Sequence, residues 1–92
     1  MSRQRSMEKI LASEYVSIGE LARLTGCRYS TLKFYTEEGM LPFLQEEENL
    51  TRRYKREASM AQVARIRELR EAGRSVPEVK ALIQEKESGE KR

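Results

Sequence analysis

The spacing of apolar and polar residues predicts a short helix soon after residue 16. Ser17 and Glu20 have the spacing of a capping box, in which each side chain bonds the backbone N–H of the other at a helix start. Gly26 can take the left-handed conformation that ends a helix. The apolar positions of this helix that we expect to face the core are Ile18, Leu21, Ala22 and Leu24.

A second short helix is predicted over residues 28–38, with Leu32 and Tyr35 on one side and Gly39 as its stop. Only a tight turn over residues 25–27 separates the two helices. Two short helices joined by a glycine-containing turn are typical of the helix-turn-helix motif. The second helix of that motif lies in the major groove of DNA.

The helical period is lost between residues 40 and 54. Leu41 and Pro42 interrupt the chain, and the segments 43–45 and 50–54 can pair as a two-stranded hairpin around residues 46–49. Such a hairpin beside a helix-turn-helix is a wing.

Two further helices are predicted after the hairpin. The first spans residues 56–72 and ends at Gly73, and the second begins at another capping box, formed by Ser75 and Glu78. The expected fold is therefore mainly α, a winged helix-turn-helix with two further helices. The apolar positions expected to face the core are Met60, Val63, Ile66 and Leu69 in the first helix and Val79, Leu82 and Ile83 in the second.

The two ends of the chain lack a clear pattern. Residues 1–14 are expected to form a flexible arm or a short helix, because three apolar residues there have helical spacing within polar flanks. Residues 85–92 are almost wholly polar and are expected to fray or project into solvent as a tail. One domain over residues 15–84 remains, since 92 residues are too few to divide a core in two.

Composition narrows the class of protein. With 38% hydrophobic and 36% charged residues, the chain is too apolar for a disordered protein and too polar for a membrane protein. No run approaches the ~20 apolar residues of a transmembrane helix. The first residues of the sequence are polar, and the apolar stretch of a signal peptide does not follow them. We therefore expect a cytoplasmic protein that binds no membrane.

The single cysteine and the absence of histidine exclude several kinds of chemistry. Cys27 has no second cysteine for an internal disulfide, and a zinc site would lack its usual ligands. Without histidine the commonest general base is also missing. We therefore expect no cofactor, no metal site, no catalytic residues and no enzymatic activity.

Positive charge is concentrated in one segment. The net charge is only +3, but residues 52–56, Arg-Arg-Tyr-Lys-Arg, hold four cations in five positions. Neutralising phosphates supplies much of the affinity of proteins for DNA, so this density favours a DNA contact. The alternative is a solvated strand end whose charges only aid solubility.

The predicted second helix carries side chains that the core does not need. These are Arg28, Tyr29, Ser30 and Lys33. Arginine and lysine suit the O6 and N7 atoms of guanine, whereas serine and tyrosine suit phosphates or mixed contacts. We expect this face to reach base edges.

Four side chains in this region have competing interpretations. Tyr29 and Tyr35 either contact phosphate or pack partly in the core with a wet hydroxyl. Phe34 is expected in the core rather than on a stacking surface. Cys27 is expected to be a small buried hydrophobe rather than a sensor thiol.

Five segments, in order, resemble the DNA-binding domain of the MerR family of bacterial transcription regulators. VSIGELARLTGC (16–27), STLKFY (30–35) and EGMLP (38–42) resemble its helix-turn-helix. TRRY (51–54) resembles its wing motif, and residues 67–80 resemble the end of its third helix and its fourth. The resemblance covers about residues 15–84.

The resemblance implies the same winged fold and DNA binding as a homodimer joined by a long C-terminal helix. We expect neither that long helix nor a small-molecule effector domain within these 92 residues. We therefore expect a monomer in isolation that forms a homodimer on DNA or through further C-terminal residues. The sequence departs from the family pattern at Arg28, a usual serine or threonine cap, at Gln45 and Thr51 in the wing, and at the acidic tip 46–48, which disfavours a deep wing contact.

The leading hypothesis is sequence-specific binding of double-stranded DNA by a transcription regulator or its DNA-binding domain. The recognition helix would enter the major groove, and the basic wing would contact the phosphate backbone. The alternatives are an excisionase-like architectural DNA-binding protein and a protein-interaction adaptor that meets an acidic partner. The residues expected to contact DNA are Ser17, Arg28, Tyr29, Ser30, Lys33, Tyr35, Arg52, Arg53, Tyr54 and Lys55.

Overall fold

We describe residues 5–47 and 50–90 of a computed structural model, with side chains through residue 84. The architecture is the predicted mainly α, winged helix-turn-helix arrangement. Its elements, in chain order, are α1 Met7–Ala12, β1 Tyr15–Val16, α2 Ile18–Thr25, α3 Tyr29–Glu37, β2 Tyr54–Lys55, α4 Arg56–Glu71 and α5 Val76–Glu90.

The helix α2 begins and ends as its sequence predicts. The Ser17 Oγ accepts a hydrogen bond from the Glu20 N–H at 3.1 Å, and the Ser17 N–H donates to the Glu20 Oε1 at 3.0 Å. Gly26 ends the helix with a φ of 77°, a left-handed conformation that costs glycine little. Leu21 is fully buried, while the other three predicted apolar positions pack against the core.

The helix α3 starts without the usual side-chain cap. Arg28 has the extended backbone of a capping residue, but no described side chain accepts from the first turn there. Its carbonyl accepts from the Leu32 N–H at 3.1 Å, so the backbone alone starts the helix. Leu32 is fully buried and Tyr35 is 8% exposed, which confirms both predicted core positions.

The wing, residues 43–53, is less regular than predicted. Leu44 and Arg53 exchange two backbone hydrogen bonds, at 2.7 and 2.8 Å, as an isolated antiparallel bridge. The Gln45 side chain donates to the Leu50 carbonyl at 2.6 Å and closes the described part of the loop. Residues 48 and 49 of the predicted turn lie outside the described residues. Within the described residues, the predicted pairing of 43–45 with 50–54 is found as this one backbone bridge, so the paired part of the hairpin is shorter than predicted.

A strand pair that the hydrophobic pattern did not predict closes the base of the wing. The strand β2 pairs antiparallel with β1, with Val16 opposite Tyr54 and Tyr15 opposite Lys55. Two residues are too few to show a period of two, and strands far apart in the chain give no local signal. The pairing places the start of α2 beside the end of the wing.

The segment before β1 is a packed helix. Ser6 caps α1 by accepting from the Lys9 N–H at 3.3 Å, and Ile10 on this helix is fully buried in the core. Of the two interpretations of residues 1–14, the short helix is therefore the one found. The flexible arm is wrong for residues 7–12, because burying Ile10 fixes the helix against the domain.

The last two helices complete the core. Val63 and Ile66 on α4 and Val79 on α5 are fully buried or nearly so. Ser75 and Glu78 form the predicted second capping box, with the Ser75 N–H donating to the Glu78 Oε1 at 2.8 Å. That backbone hydrogen bond lowers the pKa of Glu78.

The helix α5 continues through Glu90, so residues 85–90 of the predicted polar tail are helical rather than frayed. Most of this segment consists of glutamate and lysine, which have good intrinsic helix propensity. Residues 91 and 92 lie outside the described residues.

Candidate nucleic-acid interface

One face of α3 carries exposed polar and aromatic side chains. Residues three and four apart share a helix face, and the exposed series Ser30, Lys33, Phe34 and Glu37 follows that spacing. Tyr29, at the start of the helix, is 56% exposed. The opposite side is buried, so α3 presents one face to the core and the other outward.

Phe34 lies on the outward face, which corrects the prediction that it belongs to the core. Its side chain is 42% exposed, because it lies one helical turn after Ser30 and shares the face of that residue. The Phe34 and Tyr35 rings are tilted by 55° to each other, with their centroids 6.1 Å apart. Helical spacing could have placed Phe34 correctly, but its apolar character outweighed that signal.

Two predicted DNA contacts, Tyr35 and Tyr54, are not on this surface. Tyr54 is fully buried and Tyr35 is 8% exposed, so neither side chain reaches a ligand on the outward face. Burial raises the pKa of Tyr35, and its phenol stays neutral near neutral pH. Both aromatic rings are large enough to favour the core over solvent.

Tyr54 connects α3 to the base of the wing. The Thr36 hydroxyl donates to the Leu32 carbonyl at 2.8 Å, so its single proton is used within α3. The Tyr54 hydroxyl, 2.9 Å from the Thr36 Oγ1, is therefore the donor in the second bond. This buried pair fixes the position of β2 relative to α3.

The basic segment 52–56, which includes the bridge residue Arg53, divides into exposed and anchored cations. Arg53 and Lys55 are exposed on the side of the strand opposite the buried Tyr54, as the alternation of side chains along a strand requires. The guanidinium of Arg52 lies 4.6 Å from the centre of the Phe43 ring, and that of Arg53 lies 5.7 Å from the Tyr15 ring. These cation–π contacts hold the two arginines near the base of the wing.

Arg56, the fourth cation of this segment, is used inside the protein. Its Nε donates to the Ser13 carbonyl at 2.8 Å, and its backbone N–H donates to the Glu14 carbonyl at 2.9 Å. Only Arg52, Arg53 and Lys55 remain as a basic strip at the base of the wing.

Ser17 lies close to this basic strip. It follows β1 directly, and β1 pairs with β2, so the start of α2 adjoins the residues after the bridge. Its hydroxyl already accepts the Glu20 N–H. The structure therefore brings Ser17, Arg53 and Lys55 to neighbouring parts of the surface.

Two long-range hydrogen bonds that sequence reasoning missed support the helix-turn-helix from α4. Arg67 donates to the carbonyl of Thr25 at 2.9 Å, at the end of α2. Gln62 donates to the carbonyl of Met40 at 2.9 Å, just after α3. Neither pair has a signal in the sequence, because the partners are 42 and 22 residues apart.

A family model described as MerR HTH family regulatory protein matches residues 16–86, which is most of the chain. The chain belongs to the MerR family. Membership places it among DNA-binding transcription regulators, a class that is not enzymatic. No curated protein and no solved structure matches the chain.

Two further observations describe this MerR-family chain. Over residues 5–47 and 50–90, no helix is long and apolar enough to cross a membrane. The same residues contain no cluster of three or more histidine, cysteine or acidic side chains that could hold a metal ion. Cys27 is half-buried and packs against the core, as expected of a small hydrophobe.

Proposed function

We propose that this chain binds a specific duplex DNA site, with α3 in the major groove and the basic strip on the adjoining phosphates. The single observation that supports this most is the division of α3 into two faces. Leu32, Tyr35 and Thr36 anchor one face in the core, and the other face is free to approach a ligand. A side chain that reads bases must be held by a rigid element, and α3 meets that requirement.

Base reading in this proposal depends on the exposed positions of α3. Arg28 and Lys33 carry the charges that suit guanine O6 and N7. Ser30 and Tyr29 supply hydroxyls for phosphate or mixed contacts, as such side chains do in other DNA complexes. Tyr35 and Tyr54 hold α3 in position from the core side and make no direct contact with DNA.

Phosphate binding in this proposal involves Arg52, Arg53 and Lys55, with Ser17 at the edge of the same surface. The tip of the wing is unsuited to contact the phosphate backbone of DNA, because Glu46 and Glu47 are exposed there and repel phosphates. The proposed contact is therefore at the base of the wing rather than at its tip.

The proposed assembly is a monomer in isolation and a pair of copies on DNA or through further C-terminal residues. Two copies on one duplex place their half-sites about one helical turn apart, or a multiple of it. The proposal includes a cytoplasmic location, where a regulator meets its DNA, and no small-molecule effector site within this chain.

Salt-dependent affinity tests the proposal. Sites are selected from a random duplex library, and binding is measured against salt for the selected site and for unrelated DNA. Each phosphate contact should contribute about −0.9 to the slope of log affinity against log salt. A chain with no salt-sensitive affinity for any duplex would contradict the proposal and favour the protein-interaction adaptor.

Variants separate base reading from phosphate binding. Lys33→Ala and Arg28→Ala should cost on the order of 1–3 kcal/mol more on the selected site than on unrelated DNA. Arg52→Ala should weaken binding to both equally. Lys9→Ala, at an exposed position on α1, serves as the control for a general loss of charge. Equal losses on both DNAs for the α3 variants, or several adjacent footprints with bending, would instead indicate an architectural protein.

A further inference from the structure

An ion pair joins the start of the described chain to the helix-turn-helix. The Nε of Arg5 lies 2.7 Å from the Oε2 of Glu20, and its Nη2 donates to the Oε1 at 2.8 Å. Such a bidentate arrangement is the strong form of an arginine–carboxylate pair. The Arg5 hydrogen bonds lower the pKa of Glu20 to about 2, so the carboxylate is ionised near neutral pH.

The segment that carries Arg5 is held against α2 at several points. The carbonyl of Arg5 accepts from the Nη1 of Arg23 at 2.8 Å, and Ile10 is buried in the core. The Nη1 of Arg5 donates to the Ser13 Oγ at 2.8 Å. This segment precedes residues 16–86, which the family model matches, so it is an addition to the matched domain.

Glu20 has two opposing effects if α2 lies near DNA. In the first turn of α2 its carboxylate completes the capping box and is favoured by the helix dipole. The first helix of a helix-turn-helix, however, crosses the phosphate backbone. An unpaired carboxylate at that place would repel the phosphates.

We propose that Arg5 is a positioning residue for DNA binding, which neutralises Glu20 so that α2 keeps its capping carboxylate beside the phosphate backbone. This inference rests on the proposed function. It assigns the segment before β1 an electrostatic part in binding, through Glu20 rather than by direct contact.

The geometry of Arg5 favours this indirect role over a phosphate contact. A guanidinium has five N–H donors. Two of the donors of Arg5 bond Glu20 and one bonds Ser13, and a fourth is directed at the Tyr15 carbonyl at 3.5 Å. Little donor capacity is left for an incoming phosphate.

A double-mutant cycle tests the proposal on the full chain. Affinity for a short mixed-sequence duplex is measured by fluorescence anisotropy at low salt for wild type, Arg5→Met, Glu20→Gln and the double variant. Arg5→Met should weaken binding about three- to fivefold, because it exposes an unpaired carboxylate to the phosphates. In the Glu20→Gln background the same change should cost less than about twofold, because glutamine also completes a capping box and carries no charge.

The control and the stability measurement separate this role from a structural one. Lys9→Met removes an equal charge from α1 and should cost less than Arg5→Met. The double variant and Arg5→Met both lack the ion pair, so both have lost any structural support that the pair provides. A difference in affinity between these two variants therefore reflects the charge of residue 20. Circular dichroism and thermal melts show that each variant remains folded at the temperature of the assay.

Each outcome decides the matter. Recovery of affinity in the double variant supports the proposal. An equal loss from Arg5→Met in both backgrounds would show that Arg5 touches DNA itself or only holds α1, and would overturn it. A loss no larger than that of Lys9→Met would also overturn it. If wild type shows no salt-sensitive binding at all, the proposed function itself has failed, which is a distinguishable result.

Discussion

The helix α3 and the wing belong to the same proposed surface, yet they are held in different ways. On α3, Leu32 is fully buried, and its neighbours on that side pack with it. In the described part of the wing, Leu44 and Leu50 are 43% and 45% exposed, and a backbone bridge and a hydrogen bond from the Gln45 side chain join the two sides. The helix is fixed by burial, whereas the wing depends on backbone hydrogen bonds and side chains at the surface.

This difference indicates how the two regions divide the work of binding. Reading bases needs donors and acceptors placed within a fraction of an ångström, and a packed helix provides that placement. Phosphate binding tolerates movement, because charge attraction falls off gradually with distance. The packed region therefore suits specificity, and the less constrained region suits affinity without sequence preference.

The largest expected effect comes from matched leucine substitutions in the two regions. Leu32→Ala should destabilise the protein by about 2–5 kcal/mol, because it leaves a cavity beneath α3. Leu44→Ala should cost below about 1 kcal/mol, since its side chain is already largely in solvent. Urea denaturation measures both. Equal losses would contradict the view that the wing is held mainly by its backbone.

The local features of the helix-turn-helix could be predicted from the sequence. The Ser17 and Ser75 capping boxes and the stop at Gly26 each depend on residues within one helical turn. The same holds for the core positions on α2 and α4, which a period of 3.6 residues reveals. These features were predicted because their physical causes lie close together in the chain.

The features that could not be predicted depend on distant partners. The β1–β2 pair joins residues about 40 apart, and the burial of Tyr54 depends on Thr36 in another element. Arg56 was counted in the charge density of residues 52–56 but not among the expected DNA contacts, and its anchoring role had no signal in the sequence because its partner, Ser13, is 43 residues away. The DNA-binding surface thus stays a prediction, and sequence reasoning misassigned side chains whose orientation the tertiary fold decides.

The next effect concerns the buried bond that joins α3 to the base of the wing. Tyr54→Phe removes the hydroxyl that donates to Thr36 and should cost about 1–2 kcal/mol in the free energy of unfolding. Tyr29→Phe is the matched control, because Tyr29 is 56% exposed, and it should change stability by less than about 0.5 kcal/mol.

A cycle with Thr36→Val shows whether the loss belongs to this bond. The combined variant should lose less than the sum of the two single variants, because both remove the same interaction. Purely additive losses would show that the two hydroxyls stabilise the protein independently, and that the bond does not couple α3 to β2.

A smaller effect is expected at the turn between α2 and α3. Gly26→Ala should cost about 1 kcal/mol, because residue 26 has a φ of 77° that an L side chain rarely adopts. No atom lies within 4 Å of an added Cβ, so strain of the backbone rather than a clash is the cause. Gly19→Ala is the control within α2, and it should be neutral or stabilising by up to about 1 kcal/mol. Thermal unfolding compares the two variants, and a larger loss at residue 19 would refute this explanation.

The last effect, expected only in acid, is a pH dependence confined to the helix-turn-helix side of the comparison. The pKa of Glu20 is about 2 in the folded protein, below its ordinary value of 4.5, chiefly because Arg5 donates to the carboxylate. A lowered folded pKa contributes stability above the unfolded pKa, and that contribution is lost as the pH falls toward the folded pKa. The stability difference between wild type and Glu20→Gln should therefore be constant near neutral pH and shrink as the pH falls from 4.5 toward 2.

Arg5→Met supplies the control for this pH dependence, because it removes the main cause of the lowered pKa while leaving Glu20 in place. In the Arg5→Met background, the stability difference caused by Glu20→Gln should be smaller and should change less with pH. Urea midpoints measured across the acid range for the four proteins test this. An unchanged pH dependence without Arg5 would mean that the Ser17 capping bonds, rather than the ion pair, lower the pKa of Glu20.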